Sequence, residues 1–222
     1  MRTRAPLATA ALAALLATTT TLAGCGSGSP PSPPSGVDQL VVPTPDPDAD
    51  DFVEVVDNPW FPLLPGTRWE YDVPRATTET LVVEVAAGPE VAGVATTDLV
   101  RTSADGTVVR DHYAQDTAGN VWWFGREGEW TAGVDGAEAG LAMPADPRRG
   151  DGFVTGRSTS GDEVATVERL DGGAVVPQGE FDDTVELEVR DAAGLTRREV
   201  YARGVGLVLV GETALVDLTR PE

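Results

Sequence analysis

The chain has 222 residues, and its 16 basic residues, all arginine, face 36 acidic ones for a formal net charge of −20. A surface that negative repels phosphate backbones and anionic headgroups, which argues against nucleic-acid binding and against lying flat on a membrane. The length suits one domain plus a tail, long enough to bury a real core.

The first segment reads MRTRAPLATAALAALLATTTTLAGC. Arg2 and Arg4 precede an uncharged run from Leu7 to Ala23 that ends in small residues, the order of a secretory signal peptide. The threonines Thr18 to Thr21 interrupt the run, so it is a poorer match to a membrane-spanning helix of about 20 apolar residues. Leu22-Ala23-Gly24-Cys25 resembles a bacterial lipobox. The resemblance implies a signal peptide over residues 1–24, cleavage before Cys25, and thioether lipidation of Cys25, often with acylation, palmitate-like, of the new amino terminus. Cys25 is the only cysteine, so no internal disulfide can form. Two or three acyl chains anchor durably, because each buried methylene adds roughly 0.8 kcal/mol. The expected location is the extracytoplasmic face of the cell membrane, held by lipid.

Residues 25–56 read as a lipidated cysteine and a disordered linker: GSGSPPSPPSG and VVPTPDPDADD hold too few apolar residues to fold. A flexible coil of that length spans roughly 30 Å, and a proline-stiffened one approaches about 95 Å. Asp46, Asp48, Asp50 and Asp51 lack the glycine and terminal glutamate of a calcium loop, and read as a solvated acidic linker.

The folded domain is expected over 57–222. Asn58 to Tyr71, NPWFPLLPGTRWEY, opens with three prolines that fix φ and hold Trp60, Phe61, Leu63 and Leu64 in a stiff strap able to plug one end of a core. Alternation then predicts strands over Thr67–Val73, Thr80–Ala86, Ala92–Thr102, Thr107–Gln115, Val121–Gly125 and Glu129–Thr131, with a hairpin at Asp105-Gly106. The glycine-rich stretch from Gly133 to Gly152 reads as a break. Strands resume at Glu163–Leu170, Ala174–Val176 and Val185–Val189, and then at Leu195–Ala202, Gly206–Val210 and Thr213–Leu218. With no convincing 3.6-residue period, the fold class is mainly β: one antiparallel domain, either a meander, a sandwich or a partly closed barrel.

The opening motif, with HYAQDTAGNVWWFG (His112 to Gly125), WTAGVDGAEAGLAMPADPRRGD (Trp130 to Asp151), VVPQGEFDDTVEL (Val175 to Leu187) and YARGVGLVLV (Tyr201 to Val210), resembles a family of bacterial, mostly actinobacterial, secreted lipoproteins marked by N-P-aromatic-F-P-L-x-P-G-T-x-W. The resemblance covers about Asp57 to Val210. It implies an envelope location and carries no assigned activity, so no catalytic residue transfers.

No catalytic set emerges from the residues themselves. His112 is the only histidine and sits in an alternating strand, where a half-exposed position is expected. Zinc would need other ligands, and no GxSxG elbow accompanies the serines. No GxGxxG or P-loop is present, so no cofactor is implied. Asp135 in GVDG reads as a turn residue, or as a hard-cation ligand with Glu138. The acids are too numerous to single out a glycosidase pair. Trp122, Trp123 and Trp130 form the one notable group. Adjacent strand residues point to opposite faces, so Trp122 and Trp123 cannot share a one-sided core. They serve either a thick core or an aromatic site for an apolar, glycan or protein ligand.

Three functions follow from different classes: a non-enzymatic binding protein, a carboxylate-dependent hydrolase acting on an envelope substrate, and a purely structural envelope component. A large apolar cavity lined by the tryptophans favours the first, two carboxylates facing each other in a cleft the second, a filled core with no pocket the third.

Overall fold

A computed structural model describes residues 48–74, 79–158 and 160–221. Cys25, the signal segment and most of the linker lie outside the described residues. A single 3-10 turn at Ala49–Asp51 leads into fourteen strands: β1 (Phe52–Val53), β2 (Arg68–Val73), β3 (Glu79–Val91), β4 (Val94–Thr102), β5 (Val108–Asp116), β6 (Val121–Arg126), β7 (Trp130–Thr131), β8 (Glu138–Met143), β9 (Gly152–Ser158), β10 (Gly161–Val176), β11 (Gly179–Arg190), β12 (Thr196–Ala202), β13 (Gly206–Val210) and β14 (Thr213–Thr219).

All pairings are antiparallel, and twelve strands form a ring in the order β5-β4-β3-β2-β14-β13-β12-β11-β10-β9-β8-β6, closed by β6 pairing back onto β5. The expected antiparallel β domain is therefore a barrel, and it closes fully. Closure leaves the ring without a free edge to pair with another chain. Two short strands sit outside the ring: β1 extends the ladder of β5 through Phe52↔Asp116 and Val53↔Gln115, and β7 pairs with the end of β6. Ordered structure thus begins ahead of the expected start at residue 57, and Val56 is already 1% exposed.

β8 lies within the expected glycine-rich break, and β9 runs on from its last residue through a stretch where no strand was expected. β8 takes up EAGLAM and β9 takes up GFVTGRS. The expected strands at Glu163–Leu170 and Ala174–Val176 are one bent strand, β10, which carries three register shifts against β11. Its tip reaches back over the barrel wall, where Gln178 N–H donates to the Leu215 carbonyl of β14 at 3.0 Å.

Alternation sorts the side chains into two layers. Trp69, Tyr71, Val83, Tyr113, Trp123, Leu187 and Tyr201 fill the lumen, and all are buried. On the outer face of β5 and β6, Ala114, Trp122 and Phe124 form a second layer under the N-terminal segment, with Phe52 edge-on to Phe124 at 5.2 Å.

The proline strap closes one end. Asn58 pins it: its Oδ1 accepts the Trp60 and Phe61 N–H at 2.9 and 3.2 Å, while Nδ2 donates to the Gly119 and Pro144 carbonyls at 2.8 and 3.1 Å. Its own N–H donates to Gln115 Oε1 at 2.8 Å. One buried amide thus ties the strap to two separate turns. Phe61 enters the lumen between Tyr113 and Tyr201, with ring centroids 5.0 and 5.8 Å away, and Arg203 stacks over Trp60 at 4.2 Å. Asn58→Ala removes four side-chain bonds and strands buried partners, each costing about 1 kcal/mol or more. The expected loss is about 2–4 kcal/mol, read as a lower midpoint in urea with an unchanged slope. A loss below half a kilocalorie would show that the prolines alone set the strap.

Candidate functional site

Above the strap the lumen holds a cavity of about 160 Å³. An apolar cavity of roughly 150 Å³ accommodates a benzene-sized ligand. Its lower wall is aromatic and aliphatic: Phe61, Leu63, Trp69, Tyr113, Trp123 and Tyr201. Tyr113 and Trp123 stack at 6.5 Å with 20° between planes.

Toward the opposite end, near the hairpin turns, the inward positions become ionic. On β4–β6, Asp111 is fully buried and takes two guanidiniums: Arg101 Nη2 bonds its Oδ2, and Arg126 Nε bonds its Oδ1 at 2.8 Å. On β10–β12, Arg197 serves two carboxylates. It reaches Glu163 through Nη1 and Nη2 at 3.0 and 3.1 Å, and Glu199 through Nε at 2.6 Å. Thr155 donates to Glu163 at 3.0 Å, and the Tyr201 hydroxyl to Glu199 at 2.7 Å. Arg101, Arg126, Glu163, Arg197 and Glu199 all line the cavity. The three arginine side chains are 27–38% exposed, so this layer meets solvent.

Burial pulls the Arg197 guanidinium pKa down. The hydrogen bonds and charges of Glu163 and Glu199 outweigh it, so the net direction is upward. Arg126 behaves alike, with burial opposed by the Asp111 charge and hydrogen bond. Both remain cationic. The tyrosines below move up because burial disfavours the phenolate, and neighbouring carboxylates, Asp111 for Tyr113 and Glu199 for Tyr201, push the same way.

Of the three tryptophans singled out from the sequence, only Trp123 lines the cavity. Trp122 faces the outer layer at 2% exposure and donates Nε1–H to Asp116 Oδ2 at 2.8 Å. Trp130, the cross-strand partner of Arg126, packs edge-on against Trp123 at 4.9 Å without lining the cavity. Gly156 admits both rings, since a Cβ there would lie 3.0–3.1 Å from them. The alternation argument holds: the neighbouring tryptophans point to opposite faces, and each face is covered.

The ionic layer and Trp69 are site features the sequence reading missed. Their signal was phase. Arg197 and Glu199 share the two-residue period of buried Tyr201, Arg101 that of Leu99, and Asp111 that of Tyr113, so these charges continue an inward face.

His112 differs from expectation. It is 6% exposed, and its Nδ1 lies 2.7 Å from Oδ1 of Asp98, its cross-strand partner on β4. Gly88 passes so close that a Cβ would lie 2.4 Å from Asp98 Oδ1 and from Thr96 Oγ1. Asp135 is a turn residue with φ 52°, and Glu138 pairs with Arg157 at 2.6 Å. Among the described residues no group of three histidine, cysteine or acidic side chains is arranged to hold a metal ion.

Comparison with family models, with curated proteins and with solved structures gives no match.

Proposed function

We propose that the chain is a membrane-anchored extracytoplasmic lipoprotein, the location its family resemblance implies, and that its barrel is a non-enzymatic binding module for a small ligand. The lumen carries this reading: a cavity with an aromatic floor, shut at one end by the strap and lined toward the other by partly exposed charged groups. Such a mix of apolar wall and a few convergent polar groups is the usual build of a small-molecule site. The anchor rests on the lipobox ending at Cys25. Outward positions of the barrel carry exposed charges such as Glu84, Glu188 and Arg198, which suits a wall in water better than one in hydrocarbon. No helix among the described residues is long and apolar enough to cross a membrane.

The hydrolase reading has Glu163 and Glu199 as its best pair, but their oxygens are committed to Arg197, Thr155 and Tyr201. Both are already acceptors in ion pairs and not a free acid–base pair facing each other, although each keeps a lone pair for one further donor.

Two measurements test the proposal. In cells of a lipoprotein-processing bacterium, Cys25→Ala should move the protein from the membrane fraction to the soluble extracytoplasmic fraction; persistent tight membrane association would refute the lipid anchor. Native mass spectrometry of the full chain should show a co-purifying small molecule that Trp123→Ala loses. A ligand-free barrel that binds nothing across a panel of small apolar and charged compounds would refute the binding role.

A further inference from the structure

The two ionic groups of the lumen are unbalanced in opposite directions. On β4–β6 two arginines share one buried carboxylate, leaving one positive charge. The nearest further acid, Glu129, lies 3.5 Å from Arg126 Nη1 but is 61% exposed, so solvent screens it. On β10–β12 two glutamates share one arginine, leaving one negative charge. In the ring these arcs are separated by β8 and β9 on one side and by β13, β14, β2 and β3 on the other. The lumen therefore presents a surplus of guanidinium donors on one wall and of carboxylate acceptors on another.

The donor count agrees. A guanidinium carries five N–H donors and a carboxylate about four lone-pair sites. Asp111 engages one nitrogen from each of Arg101 and Arg126, and both arginines line the cavity. Glu199 receives only Arg197 Nε on one oxygen and the Tyr201 hydroxyl on the other. Each wall thus retains capacity for an opposite charge, in a partly water-excluded space where such bonds are strong.

From this we infer that the ligand is a small zwitterion with an apolar body. Its anionic group bonds Arg101 and Arg126, its ammonium bonds Glu163 and Glu199, and a side chain about the size of a benzene ring rests on Trp123, Tyr113 and Tyr201. An α-amino acid with an aromatic or branched aliphatic side chain has this chemistry. A ligand with a single charge would leave one wall's surplus unmet. The inference rests on the lumen being a binding site, and narrows what it binds.

The test titrates the full chain with phenylalanine, leucine and valine, following tryptophan fluorescence and calorimetry. The single-charge analogues phenethylamine and 3-phenylpropionate, and neutral benzyl alcohol, are titrated beside them. At least one amino acid should bind ten-fold or more tighter than both single-charge analogues. Glu163→Gln should weaken that amino acid ten-fold or more while leaving 3-phenylpropionate unchanged, and Arg126→Gln should do so while leaving phenethylamine unchanged. That crossed pattern is not produced by general loosening of the barrel. If an analogue or benzyl alcohol binds as tightly as every amino acid, the zwitterion is overturned and the binding role stands. If nothing in the series binds, the zwitterion is overturned, and the co-purification and panel measurements decide the binding role separately. The ligand series on the unmodified chain decides the matter even if a variant fails to fold.

Discussion

Gly140→Ala should break the barrel at the short seam between β8 and β9. β8 and β9 share only two register pairs, Glu138↔Arg157 and Ala139↔Gly156. Just past them, at Gly140, the backbone of β9 crosses so closely that a Cβ would sit 2.2 Å from the Thr155 carbonyl carbon, 2.3 Å from its oxygen and 2.4 Å from the Gly156 nitrogen. All three atoms are main chain, so no rotamer change relieves the clash, and the strands must part. Overpacking a core with a flexible side chain costs about 1–3 kcal/mol. Displacing backbone on both sides of a ring closure should cost more, about 4 kcal/mol or above, which is exceptional for one methyl group. The damage should spread to the site, because Thr155 bonds Glu163 and Gly156 carries the Trp123–Trp130 pair. Gly152→Ala is the control: its Cβ would meet nothing nearer than 4.0 Å, and its φ lies outside the left-handed region. That variant should change stability by under about 1 kcal/mol in either direction. Urea melts of the three proteins check this, and a Gly140→Ala midpoint equal to that of Gly152→Ala would show that the seam is not closed as described.

The same glycines explain why this part of the fold was illegible in the sequence. Gly140 fell in a stretch read as a break and Gly156 in one given no strand, yet both are there because another backbone and two indole rings occupy the space a side chain would fill. Local pattern cannot distinguish a glycine that ends a strand from one that lets two strands cross. Where alternation was unbroken, as in TRWEYDV or VELEV, strand and inward face were both readable. Closure was not, because the β5–β6 pairing that completes the ring is a hairpin that would exist equally in an open sheet. The site was half legible. Trp123 stood out by its chemistry, whereas the arginines and glutamates of the lumen were lost among the charges of a chain with a net charge of −20. On such a surface a charge is ordinarily solvated, and only its phase relative to Tyr113 or Tyr201 marks it as inward.

Alkali should unfold the barrel in one steep step driven by its tyrosines. The chain has three, Tyr71, Tyr113 and Tyr201, and each is at most 9% exposed inside the lumen. Burial raises all three phenol pKa values; the Arg101 charge opposes it at Tyr71, and Glu199 reinforces it at Tyr201. A pKa raised in the folded state means that the unfolded chain loses its proton first. The stability linked to these protons is therefore complete below about pH 10, the value of a free phenol, and falls as pH rises from there toward the raised folded values. Each tyrosine removes about 1.4 kcal/mol per pH unit in that window, and three together about 4. Against a domain stability in the lower half of the typical range, about 5–10 kcal/mol, unfolding follows within roughly one to two and a half units above pH 10. Tyrosinate absorbance should stay absent where free phenols ionise, then appear together with loss of the β circular-dichroism signal. In denaturant the same chain should titrate near pH 10. Tyr71→Phe, which loses the 2.8 Å bond to the Leu207 carbonyl, should shrink the pH slope by about a third even though it lowers stability at neutral pH. A tyrosine that ionised near pH 10 with the circular dichroism unchanged would show that the lumen is wet down to its floor. The aromatic wall would then lack the dry contact that a binding site needs.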